Sequence, residues 1–174
     1  LAAAVGVKTS AIPVIETEIT ATDYNTGKTI TKDDKIVPGE YIKYKIVAKN
    51  TGKEKAVGVK AQLSIDSRRT DITDNNLNKE SGSGIVSYGY DYNEDIVDIS
   101  SINESSSQSL PDIEASQSTS IDVVTYVSAT IHENSIYSII SAITATNADA
   151  EGDMSFTNTA GAGVVNLKLA SSQM

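Results

Sequence analysis

The sequence predicts an all-β protein, an antiparallel β-sandwich with an extended apolar strand at its N-terminus. Two observations carry this. Apolar and polar residues alternate with a period of two in segment after segment, as strands with one buried face require. The alternation is clearest at Ile42, Tyr44, Ile46 and Ala48 against Lys43, Lys45 and Lys49. It recurs at Ile121, Val123, Thr125, Val127, Ala129 and Ile131. Turn signals fall between the segments at the ~8–12-residue spacing of sandwiches and barrels. No helix-period stretch of useful length and no internal repeat interrupts the pattern.

The elements follow in order. Residues 1–12, LAAAVGVKTSAI, form an apolar leader, and residues 13–174 form the domain. Residues 14–22 alternate as a first strand, Tyr24–Gly27 turns, and 28–31 returns. Pro38-Gly39 is a turn: Pro fixes φ and Gly accepts the positive φ of a type II turn. Strand 41–49 follows and ends at Asn50-Thr51-Gly52; strand 55–65 comes next. Residues 66–83 are polar and suit a surface excursion with one helical turn near 73–79. Segments 84–92 and 95–100 read as strands, and 101–109, SINESSSQS, as a Ser-rich loop. Strands 119–131, 136–146, 154–158 and 162–170 complete the sheets. The predicted core is Ile42, Tyr44, Ile46, Val57, Val59, Leu63, Ile121, Val123, Val127, Ile139 and Ile143.

The spacing P-G-E-x-I-x-Y-x-I-x-A-x-N-x-G over 38–52 resembles the Ig-like conserved repeat domain of bacterial and archaeal surface proteins. Residues 109–131 and 138–165 resemble the second half and the closing strands of that family. In one departure Ala115-Ser116-Gln117 stands where the family has a second Pro-Gly turn. In another, 66–104 is longer than the common repeat needs. The resemblance implies an Ig-like sandwich. It leaves the role open, since such domains serve as stalks, spacers and fibre subunits.

Composition narrows the function classes. The formal charge of −9 and pI near 4.5 argue against nucleic acid, which needs clustered Lys and Arg. They argue equally against an anionic membrane surface. There is no Cys, which excludes disulfides, thiolate metal sites and a Cys nucleophile. No stretch approaches the ~20 apolar residues of a membrane span. The leader is too short and wrongly flanked for an intact signal peptide and reads as a mature N-terminus. An extracellular or cell-surface location is expected.

Candidate sites are few. His132 is the only His; it stands at a turn with no nucleophile in sequence reach, so no enzyme activity and no cofactor are expected. Asp91, Asn93 and Asp95 mimic the start of a Ca²⁺ loop. The sixth position is Ile96 rather than Gly and the twelfth is Ile102 rather than Glu, so the ligand set is incomplete. Asn103-Glu104-Ser105 is an N-glycosylation sequon. Tyr88, Tyr90 and Tyr92 share one strand face and suit either sugar stacking or a ladder within the sheet.

The leader is the functional element the sequence offers. Leu1, Ala3, Val5 and Val7 form one face of an extended segment that can fill a strand-deficient groove in a second copy or pair as the first strand of its own sheet. A head-to-tail contact that does not close makes a filament. By architecture the chain is similar to TasA-type biofilm matrix fibres and archaeal bundling pili. The expected partner is therefore the chain itself, with glycans or other cell-surface proteins beside it. A carbohydrate-binding or spacer domain of a surface-layer or adhesin protein is the rival expectation.

Overall fold

The computed structural model describes residues 12–31, 34–89, 102–147, 156–159 and 166–169, with 87–89 and the last two segments as backbone. Eleven strands lie among them: β1 Ile15–Asp23, β2 Thr29–Ile30, β3 Lys35–Ile36, β4 Tyr41–Asn50, β5 Lys60–Arg69, β6 Gly84–Gly89, β7 Ser105–Ser109, β8 Ser118–Tyr126, β9 Ser135–Ala145, β10 Phe156–Thr159 and β11 Asn166–Leu169. One sheet runs β2-β1-β4-β8-β6 and the other β3-β11-β9-β5-β7, with β10 also paired to β9. All pairings are antiparallel except the short parallel pair β3–β11.

Period-two alternation fixes the faces. Along β4, Ile42, Tyr44, Ile46 and Ala48 are buried while Lys45 and Lys49 are exposed. Opposite them Ile121 and Val123 of β8 enter the same core. Leu63, Tyr137, Ile139 and Ile143 close it from the second sheet. The predicted core is found except at Val57, which is half-buried: it lies in the loop before β5, where its N–H donates to Asn147 Oδ1 at 3.0 Å.

Two matching turns pin β4 against β8. Glu40 N donates to Val37 O at 3.2 Å with Gly39 at φ +86°, the pattern of a type II turn. Gly39 N then donates to Val127 O at 2.8 Å and Val127 N to Glu40 O at 2.9 Å. At the far end, Gln117 N donates to Glu114 O at 3.0 Å with Ser116 at φ +67°. Ser116 N donates to Asn50 O at 2.8 Å and Asn50 N to Gln117 O at 2.9 Å. The Ala115-Ser116-Gln117 departure thus builds the same turn, with Ser116 in the conformation glycine favours.

Several expectations are corrected. The strand placed at 55–65 begins at Lys60 and runs to Arg69. Residues before it form a loop whose Ala56 bridges Ile113. The Ser-rich segment expected as a loop contains β7, paired with β5 over Ser105–Ser109. Strand 119–131 ends at Tyr126, where the Val127 bond to the Glu40 turn takes over. The helical turn expected near 73–79 is a single turn in which Leu77 N and Asn78 N both donate to Asp74 O. Residues 1–11 of the leader, the end of 84–92 from residue 90 on and the strand placed at 95–100 lie outside the described residues.

Candidate functional site

Among the described residues, part of the outer edge of β1 is unpaired. Thr51 N donates to Val14 O at 2.8 Å and Tyr24 N to Tyr41 O at 3.1 Å, at the two ends of the β1–β4 register. In an antiparallel ladder the bonded pairs alternate. Glu16, Glu18, Thr20 and Thr22 therefore bond to β4, and Thr17, Ile19 and Ala21 turn their N–H and C=O to the other side. β2 covers that side only at Ala21 and Thr22. Between Glu16 and Thr20 no strand among the described residues pairs with it. Ile19 is buried there, so the open backbone borders the core.

The chain leading into β1 is held firmly. Asn50 is fully buried and saturates its amide. Its Oδ1 accepts from Val14 N at 3.2 Å and Gly52 N at 3.0 Å. Its Nδ2 donates to Glu54 O at 2.7 Å and Ile113 O at 3.0 Å. A Cβ on Gly52 would lie 2.5 Å from Ile12 O and 2.7 Å from Val14 N, so only glycine lets residues 12–14 pass. The Asn-x-Gly of the sequence is the anchor that positions the chain just after the leader. Leu1, Ala3, Val5 and Val7 themselves lie outside the described residues.

The opposite end of the same sheet carries three tyrosines in a row. Tyr41 opens β4 and Tyr126 closes β8, directly across the ladder. Their rings stand 5.3 Å apart at 50°, and Tyr24 and Tyr41 rings 6.2 Å apart at 59°. All three are half-buried. Beside Tyr41 a cavity of about 270 Å³ opens between the edge strands, lined in part by Asp23, Lys28, Asp34, Lys35 and Glu40. Burial, then the Asp23 charge, then a hydrogen bond to Asp23 push the Glu40 carboxyl above its usual range. Asp23 Oδ1 also accepts Asn25 N and Thr26 N, each at 2.9 Å, which fixes the turn before β2.

Of the other sequence candidates, Asn103 is exposed and exchanges backbone bonds with Ile85 at 2.7 and 3.0 Å. His132 is half-buried in a turn: its Nδ1 accepts Asn134 N at 3.2 Å, and its N–H donates to Glu80 Oε1 at 3.3 Å. Tyr88 is described only as backbone of β6, and Tyr90, Tyr92, Asp91, Asn93 and Asp95 lie outside the described residues. The tyrosine row is one that sequence reasoning missed. Its members are far apart in the chain, and only the strand register assembles them. The available signal was that Tyr41 follows the Pro38-Gly39 turn and so starts a strand.

Neither a protein-family model nor a curated protein matches the chain. Solved structures do match at the level of fold. AvmM, which catalyses macrocyclization in alchivemycin A biosynthesis, is similar over 94% of this chain and 93% of its own, at 13% identity and a TM-score of 0.50. A CARDB domain from Pyrococcus furiosus, solved in complex with di-metal ions, covers 91% and 90% at 9% identity and a TM-score of 0.45. A PapD-like domain of human CEP192 covers 90% and 87% at 13% identity and a TM-score of 0.43. Identities this low concern the fold alone. The chain is an all-β sandwich of two sheets, antiparallel except at β3–β11. Among the described residues no helix is long and apolar enough to cross a membrane.

Proposed function

We propose that this chain is a structural, non-catalytic subunit of an extracellular filament. Copies join when the N-terminal segment of one subunit adds as a strand to the open β1 edge of the next. The β1 edge at Thr17–Ile19, unpaired among the described residues, is the observation that carries it. β2 ends at Ile30, opposite Ala21, so a strand placed along Glu16–Thr20 continues its line and extends the sheet. Main-chain bonds to Thr17 and Ile19 supply affinity, and alternate apolar side chains supply specificity. Leu1, Ala3, Val5 and Val7 offer such side chains at the required spacing. The edge strand β7 is less suited: Ser105–Ser109 is short and serine-rich and gives an incoming strand no apolar pockets.

Deletion of residues 1–12 tests this. The truncated chain is expected to fold, with its melting temperature lowered by an empty edge, and to form no fibres under negative-stain microscopy. Added LAAAVGVKTSAI peptide should raise the melting temperature without restoring fibres. Filaments of normal length from the truncated chain would overturn the proposal.

A further inference from the structure

We infer that the Tyr24–Tyr41–Tyr126 row and the cavity beside it form a binding site for a neutral glycan, with a sugar ring stacked on Tyr41. The three residues come from the turn just after β1, the start of β4 and the end of β8, and these neighbouring strands lie ~4.8 Å apart. The row is therefore about 10 Å long, enough for successive sugar rings of one chain. A pyranose has an apolar C–H face and a rim of hydroxyls. Tyrosine matches both, with an apolar ring and a polar tip.

The cavity chooses among ligand chemistries. Asp23, Asp34 and Glu40 line it together with Lys28 and Lys35, so three carboxyls are offset by two ammonium groups. Neither an anionic polymer nor a strongly cationic one finds an uncompensated field there. A purely apolar ligand would desolvate the Asp23–Glu40 pair without returning hydrogen bonds, which is costly. Sugar hydroxyls donate to carboxylates and accept from lysine. At about 270 Å³ the space falls below the ~300–1,000 Å³ of sites for drug-sized ligands, and it suits a single small ring. The site lies at the other end of β4 from the Asn50 anchor.

The test uses the full chain and titrates it with cellohexaose, maltohexaose, laminarihexaose and chitohexaose, each followed by amide chemical shifts. At least one is expected to bind and to move the amides of Tyr24, Tyr41 and Tyr126 together. Tyr41→Ala should weaken that binding about tenfold, the scale of one lost ring contact. Tyr24→Ala, in a turn outside the core, gives a second reading should Tyr41→Ala fail to fold. If none of the four moves these amides, or if Tyr24→Ala and Tyr41→Ala both bind as tightly as the parent chain, the inference fails. It fails equally if only polygalacturonate, spermidine or Ca²⁺ perturbs the row.

Discussion

At the scale of single residues, two positions set the Asn50 end of β4. Ser116 holds φ +67° without the freedom of glycine. A non-glycine residue in that region costs roughly 1–2 kcal/mol. Ser116→Gly is expected to raise stability by about 1 kcal/mol, less than the full strain because glycine also loosens the unfolded chain. A denaturant midpoint that falls in this variant would contradict the turn. Asn50 is the opposite case. Asn50→Ala leaves Glu54 O, Ile113 O, Val14 N and Gly52 N without their partner. Each stranded group costs about 1–3 kcal/mol, so the variant should lose at least about 3 kcal/mol. Urea unfolding measures it, and a loss under about 1 kcal/mol would mean that water replaces the amide. Both positions were visible in the sequence only as motifs. Asn-x-Gly and the missing Pro-Gly were read there, but the hydrogen bonds that explain them join segments more than sixty residues apart, as Asn50 to Ile113 does.

Strands differed in how plainly the sequence announced them. β4 and β8 were legible because Ile, Val and Tyr alternate with polar residues and the turns frame them. β7 was not, because Ser105–Ser109 has neither β-branched residues nor an apolar face. It is a strand because the register places Lys60–Ser64 beside it, and tertiary pairing overrides weak propensity. The tyrosine row escaped for a related reason. Tyr88, Tyr90 and Tyr92 were sought along one strand, whereas Tyr24, Tyr41 and Tyr126 line up across three. The open edge of β1 also needed the structure, since alternation says which side chains are buried but not which N–H groups lack partners. Proline scanning exploits that difference. Thr17→Pro removes an N–H that faces the edge unpaired among the described residues, so its melting temperature should fall no further than that of the 1–12 deletion while strand addition fails. Glu18→Pro removes an N–H bonded within the β1–β4 ladder and should cost about 3 kcal/mol. Assembly by the Thr17→Pro variant at the parent's rate would place subunit contacts elsewhere.

For the whole molecule, the core has an acid–base limit set by its two largest buried side chains. Tyr44 and Tyr137 are both fully buried. Tyr137 Oη donates to Tyr126 O at 3.2 Å, whereas Tyr44 Oη has no hydrogen-bond partner among the described residues. Burial pushes both phenols up, and for Tyr44 the neighbouring Tyr137 adds to it. An acid whose folded value lies above its unfolded value holds its proton more tightly in the folded state. The stability this gives is complete below the unfolded tyrosine value near ~10 and is lost as pH rises beyond it. Each tyrosine then costs about 1.4 kcal/mol per pH unit. Two of them take about 5 kcal/mol by pH ~12, comparable with the ~5–15 kcal/mol that holds a domain folded. Urea midpoints measured from pH ~8 to ~12 should therefore stay level and then drop steeply above pH ~10. Tyr44→Phe separates this from general charge repulsion in a chain of formal charge −9. It removes one titrating phenol and an unpaired buried hydroxyl, so it should gain about 1 kcal/mol at neutral pH. It should also halve the alkaline slope. A parent and a Tyr44→Phe chain with the same slope above pH ~10 would show that the buried phenols do not set the limit.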